Sequence, residues 1–227
     1  MTVDWEAIRL SLRLAAATTA VLLLVGLPLA YWLAFSRWRG RFLVEAVVAL
    51  PLVLPPTVLG FYVLLAIGPR SPFGRAYEAI TGSLLPFSFG GLLVASVLYS
   101  LPFAVQPFTA AMAAVDRRLI EAAWCLGVSR LGTFARVIVP LARPGIVTGM
   151  VLSFAHTLGE FGVVLMVGGN LPGRTRTVSI SIYDAVQSLD YAAAGRTSLV
   201  LLAFSFAVLA ITYAMQRSVW AVWPLRS

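Results

Sequence analysis

Five stretches of this chain are long, apolar and almost free of charge, and they constrain the fold more than any other feature. Residues 14–36, 46–69, 79–115 and 197–216 contain no Asp, Glu, Lys or Arg, and 144–171 contains only Glu160. About 20 apolar residues in a helix cross the hydrocarbon core of a bilayer. Each run therefore predicts one transmembrane helix, placed at 10–35, 45–67, 87–112, 144–168 and 197–216. The third run is long enough for nearly two crossings, but Pro86, Ser88 and Gln106 confine it to one helix. The expected fold class is an all-α integral membrane protein of about five transmembrane helices, forming a single domain over 8–216.

Composition supports the bilayer as the solvent. Of all residues 60% are hydrophobic and 11% charged, whereas a soluble domain carries about 25% charged residues. Too few polar side chains remain to cover a water-facing surface. A net charge of +8 on a soluble protein suggests nucleic acid. Here the arginines lie between apolar runs with no basic stripe interleaved with aromatics, so the expected partner is lipid and not nucleic acid.

Enzymatic chemistry finds little footing. All 17 basic residues are Arg, and a Walker-type phosphate loop needs Lys; Schiff-base chemistry needs it too. Cys125 is the only cysteine, which excludes an internal disulfide and a Cys-based metal cluster. His156 is the only histidine and sits inside an apolar run. No catalytic residue, metal or cofactor is expected in this chain.

The first run begins after Asp4 and Glu6 rather than a basic region, and it exceeds the roughly 7–15 apolar residues of a signal peptide. It is expected to be retained as a helix. The arginines set the orientation. Arg37, Arg39 and Arg41 follow the first helix, Arg117, Arg118, Arg130, Arg136 and Arg143 follow the third, and Arg217 and Arg226 follow the fifth. The other side holds the smaller group Arg70, Arg75, Arg174, Arg176 and Arg196. The N-terminus is therefore expected outside and the C-terminus in the cytoplasm. Within the second run, Pro51, Pro55 and Pro56 remove backbone hydrogen bonds. They mark either ordinary proline enrichment in a membrane helix or a helix broken beside a pathway.

The loop at 116–145 has the pattern of helix, glycine turn, helix and re-entry. Leu119, Ala122, Ala123 and Leu126 follow the i, i+3, i+4, i+7 spacing of one helix face. Gly127 suits a helix C-terminus. Ser129 suits the cap of a second helix with Leu131, Phe134 and Ile138 inward, and Pro140 and Pro144 are expected to break the chain before the fourth helix. By physics alone this is a docking element or an amphipathic helix lying on the membrane.

The residues of this loop resemble the EAA loop of ABC importer permeases. Glu121, Ala122 and Ala123 are followed by Gly127 and then Pro140 at the family's spacing, with Val137 and Val139 where Ile and Leu are usual. The segments LPLVLPPTVLGFYVLL (50–65), SLPFAVQPF (100–108), LGEFG (158–162) and GRTRTVSISIYD (173–184) are similar to the molybdate permease subgroup. Together the resemblance covers most of the chain.

That resemblance implies the type I ABC importer permease fold in a bacterial cytoplasmic (inner) membrane. It implies two copies of this chain with two copies of an ATPase subunit, which binds the ATP and Mg, and a periplasmic or extracellular molybdate-binding protein that delivers the cargo. Glu121 would hold a charged partner on the ATPase, Ala122 and Ala123 would permit close approach, Gly127 would permit the turn, and Pro140 would complete the motif. His156 and Glu160 fall one helical turn apart, as a path-lining or gate-supporting pair or as a polar contact between helices; a carboxylate beside an anion path repels its cargo, which favours the contact. Pro55 and Pro56 are the other candidates for the path. Tungstate and sulfate permeases are the neighbouring alternatives. A secondary oxyanion transporter fits less well, because five helices show no inverted repeat and the EAA loop has no role there.

Overall fold

The computed structural model describes residues 3–220. The first helix, α1 (Trp5–Phe35), starts where the Asp4 side chain accepts the Ala7 N–H at 3.0 Å. It is followed by α2 (Arg41–Val53), α3 (Pro56–Ile67), α4 (Pro72–Thr81) and α5 (Phe89–Ala113). Then come the short helices α6 (Arg117–Cys125) and α7 (Arg130–Thr133), a π-helical segment (Phe134–Ile138), α8 (Val139–Gly159), α9 (Gly162–Gly168), α10 (Val178–Gln187) and α11 (Tyr191–Trp220). Every regular element among the described residues is a helix. Arg226 lies outside the described residues.

Helices α1, α5 and α8 form the centre of the bundle. Leu22, Ala30 and Leu33 of α1 meet Ala104, Val105, Phe108 and Met112 of α5 and Ala142 and Ile146 of α8, all buried. Between membrane helices, close packing rather than escape from water drives association, and small residues permit it. Gly149 is such a residue: a Cβ there would lie 2.6 Å from the Phe108 ring and 2.9 Å from the Ala104 carbonyl.

Among the described residues, four helical stretches are long and apolar enough to cross a membrane: Trp5–Phe35, Phe89–Ala113, Arg130–Gly159 and Tyr191–Ala210. The pair α2 and α3 makes a fifth span if taken together, bent by 116°. The single helix expected at 45–67 is therefore two. Pro56 disfavours helical backbone at Pro55, and Pro55 does the same at Leu54; both residues are extended, with ψ 136°. Pro56 then opens α3, where its missing N–H costs nothing.

The fourth span also departs from expectation. Pro140 and Pro144 do not break the chain; the helix runs from Arg130 through both to Gly159. The Val139 N–H reaches back five residues to the Phe134 carbonyl, so the turn is widened just before Pro140 enters. Pro144 removes one backbone bond and is flanked by the buried Ala142 and Ile146. The break comes at Glu160 instead, which is extended (φ −66°, ψ 137°) and separates α8 from α9.

The loops add two helices that hydrophobic runs did not predict. Helix α4 is capped by Ser71, which accepts the Gly74 N–H at 2.8 Å, and ends at Gly82 with φ +67°. Helix α10 is tied to the start of α1: the Ser11 hydroxyl accepts the Val178 N–H at 2.8 Å, and Ser181 donates to Asp4 Oδ2 at 2.7 Å. At the other end of α1, Tyr31 meets Phe134 edge-on at 5.1 Å between ring centroids. So α10 and the α6–α7 loop lie at opposite ends of α1.

Candidate functional site: a projecting loop and a cavity between two broken spans

The α6–α7 loop is built by local signals. The Asp116 carboxylate caps α6 by accepting the Arg118 N–H at 2.9 Å. Helix α6 ends in a paired closure: the Gly127 N–H bonds the Trp124 carbonyl at 2.9 Å, and the Val128 N–H bonds the Ala123 carbonyl at 3.0 Å. This geometry needs a left-handed residue at the turn, and Gly127 supplies it with φ +77°. Ser129 starts α7 by accepting the Gly132 N–H at 3.1 Å.

The face turned inward is not the one the spacing suggested. Ile120 and Ala123 are buried, whereas Leu119 is 49% and Leu126 83% exposed. In the following segment Ile138 is buried as expected, but Leu131 is 77% exposed. The apolar strip Leu119, Ala122 and Leu126 thus faces outward beside the exposed Glu121 and Gly127. Pro140 does not join them; it stands past the π-helical segment at the start of α8.

The second feature is a cavity of about 620 Å³ where the two broken spans meet. Pro56 and Thr57 from the start of α3, Tyr99 of α5, and His156, Glu160 and Phe161 at the end of α8 line it. Helices α3 and α9 approach through glycines: a Cβ on Gly162 would lie 2.7 Å from the Pro56 Cβ, and one on Gly60 would lie 2.8 Å from the Met166 Cβ. Pro55 is exposed and is not on the lining.

His156 and Glu160 do not share a helix face, because the helix ends between them. His156 turns to α5. Its ring stacks on Phe103 at 3.9 Å between centroids and lies 4.7 Å from Tyr99, and Nδ1 is 3.0 Å from the Ser100 hydroxyl. Ser100 is in turn 2.9 Å from the Thr157 hydroxyl, which donates to the Ser153 carbonyl at 2.8 Å. Glu160 is 5% exposed. Ser96 is its polar neighbour, yet neither carboxylate oxygen nor the Ser96 hydroxyl makes a hydrogen bond of good geometry among the described residues. No group of three or more His, Cys, Asp or Glu converges among the described residues. What the two features offer is a surface to be gripped at one end of a long helix and a hollow at the other.

Residues 26–220 match the family of binding-protein-dependent transport system inner membrane components. The chain belongs to this family. Among its relatives in that family, the molybdenum transport system permease protein ModB of Azotobacter vinelandii is 52% identical over 214 residues, 94% of this chain and 95% of that protein. ModB of Escherichia coli (strain K12) is 36% identical over 185 residues, 82% of this chain and 81% of that protein. A bacterial ABC transporter involved in the import of the acidic polysaccharide alginate has the same fold, with a TM-score of 0.73 at 19% identity, covering 94% of this chain and 78% of that one. As a member of the family, the chain is an inner membrane component of an ABC transporter, with an all-helical permease fold.

Thr57 and Tyr99 on the lining were not singled out by sequence, nor were Ser96 beside Glu160 and Ser100 and Phe103 beside His156. Ser100 and Phe103 fall within the segment SLPFAVQPF, but no spacing links position 100 to position 156.

Proposed function

We propose that this chain is the membrane-spanning subunit of an ATP-driven molybdate importer, supplying the path and coupling it to a separate ATPase. The observation that carries this reading is the 52% identity over 94% of the chain to a molybdenum permease protein. The complex comprises two copies of this chain, two ATPase subunits that bind ATP and Mg, and a binding protein that delivers the oxyanion from outside. The N-terminus and α10 face outside, and α6 and α7 face the cytoplasm. The chain itself holds no cofactor and hydrolyses nothing.

The geometry suggests how movement is passed on. Glu121, Ala122 and Ala123 on α6, with the turn at Gly127, enter the ATPase groove. Arg130 begins a helix that continues to Gly159, 30 residues, or about 45 Å at 1.5 Å per residue. Displacing the loop tilts this helix as a rigid body and so moves its far end, where Glu160 breaks it at the cavity. Pro140 belongs to this lever, beside the widened turn. His156 holds α8 to α5 near the cavity, and Pro55 and Pro56 let α3 turn away from α2 to line it.

Uptake in cells tests the assignment. Deleting this chain should abolish molybdate uptake, and tungstate uptake with it since the two oxyanions differ little in size and charge, while sulfate uptake continues. Loss of sulfate uptake with molybdate uptake spared would contradict it.

A further inference from the structure

The α6–α7 loop does not lie flat against the bundle. It leaves a cavity of about 490 Å³ between itself and the end of α1. Three exposed arginines from three separate places in the chain line it: Arg37 just after α1, Arg117 at the start of α6 and Arg130 at the start of α7. Among the described residues Glu121 is the one carboxylate on the lining, so the lining carries three positive charges and one negative. The ion pairs among the described residues are Arg41–Glu45 and Arg176–Asp184; none takes an arginine of the cavity. Exposed in water, like charges repel one another only weakly, and together they give this hollow a positive potential that attracts an anion. The guanidinium fork matches phosphate oxygens two at a time.

The surroundings narrow the ligand. Tyr31 lines the cavity, and Trp32 and Trp38 lie nearby on the outside, 38% and 55% exposed with ring centroids 5.9 Å apart. Such aromatics concentrate at headgroup level in membrane proteins. Basic pockets at the cytoplasmic ends of membrane helices suit anionic headgroups.

We infer that the Arg37–Arg117–Arg130 cavity binds a phosphate group, carried by an anionic phospholipid or free in the cytoplasm, between the end of α1 and the α6–α7 loop. The inference is independent of which oxyanion is transported. Bound there, the phosphate ties the loop to α1 and sets its resting position.

Trp124 lines the same cavity and reports on it. The full chain is reconstituted in phosphatidylcholine vesicles containing a minority of brominated phosphatidylglycerol, and the Trp124→Phe variant supplies the background from the other tryptophans. If the source is lipid, brominated phosphatidylglycerol quenches Trp124 and brominated phosphatidylcholine does not. If the source is free, quenching is equal for the two lipids, but inorganic phosphate changes Trp124 emission saturably. In either case Arg37→Gln, Arg117→Gln and Arg130→Gln together should weaken the response at least about tenfold, since three charged donors to the phosphate are lost at once. Arg37→Gln alone, outside any helix, guards against misfolding and should weaken it by a smaller factor. An unchanged response in the variants, or no response to either probe, overturns the inference. So does loss of ATPase co-purification in the triple variant with unchanged quenching, which would mean that an acidic side chain of the partner fills the cavity.

Discussion

His156 Nδ1 lies 3.0 Å from the Ser100 hydroxyl, and this contact fastens the last turn of α8 to the middle of α5 beside the cavity. With Phe103 stacked on its ring, the only histidine is held on two sides. Ser100→Ala removes the partner from a part-buried ring nitrogen and also unmakes the contact with Thr157. Leaving such groups unpaired costs about 1–3 kcal/mol. The variant should show a lower thermal midpoint in detergent and lower membrane abundance, while the transport rate per folded molecule stays near that of the wild type. A normal midpoint with lost transport would instead put His156 in the path.

Gly127 carries the second prediction. A Cβ there meets nothing within 4 Å, and φ is +77°, so any penalty comes from the backbone alone. For ordinary residues that is about 1–2 kcal/mol, and more for a β-branched one. Gly127→Val should insert at normal levels but lose transport, through weak ATPase binding or ATP hydrolysis that ignores cargo. Gly127→Asn should keep most activity, since Asn tolerates this conformation. Membrane abundance and ATPase co-purification separate the two effects.

Gly149 should behave in the opposite way. Its missing side chain lets α8 approach Phe108 and the backbone of α5, with the Ala104 carbonyl 2.9 Å from where a Cβ would stand. A carbonyl cannot swing aside as a side chain can. Gly149→Val should reduce membrane abundance strongly, and blotting of the membrane fraction beside Gly127→Val shows whether the two glycines part as expected.

Cys125 reports the orientation. It is exposed at the end of α6 and is the only thiol in the chain. With the chain expressed alone, an impermeant maleimide should label it in inside-out vesicles and leave it unlabelled in intact spheroplasts. Labelling in spheroplasts reverses the proposed topology.

How far these features were legible in sequence depends on the kind of signal behind each. The spans were legible because crossing a bilayer demands long uncharged runs, and the turn at Gly127 because its residue type and position both suit a helix end. The break at Leu54–Pro55 had a visible cause in adjacent prolines. The break at Glu160 had none as strong: Gly159 and Gly162 weaken the helix there, but the run is otherwise as apolar as its neighbours. Pro140 misled because the widened turn that admits it depends on backbone hydrogen bonding, not on composition. Periodicity put Leu119, Ala122, Ala123 and Leu126 on one face but could not say which way that face turns; the bundle takes Ala123 with Ile120 and leaves the other three outward. The pairing of Ser100 with His156 arises only once α5 and α8 are packed.

The most direct test of the account is molybdate uptake by vesicles that contain this chain with its ATPase, supplied with ATP inside and a molybdate-binding protein outside. The account predicts molybdate accumulation that requires ATP, ATP hydrolysis stimulated by the loaded binding protein, and loss of that stimulation in Gly127→Val. Accumulation without the ATPase, or hydrolysis and uptake unaffected by Gly127→Val with the ATPase bound, would contradict it.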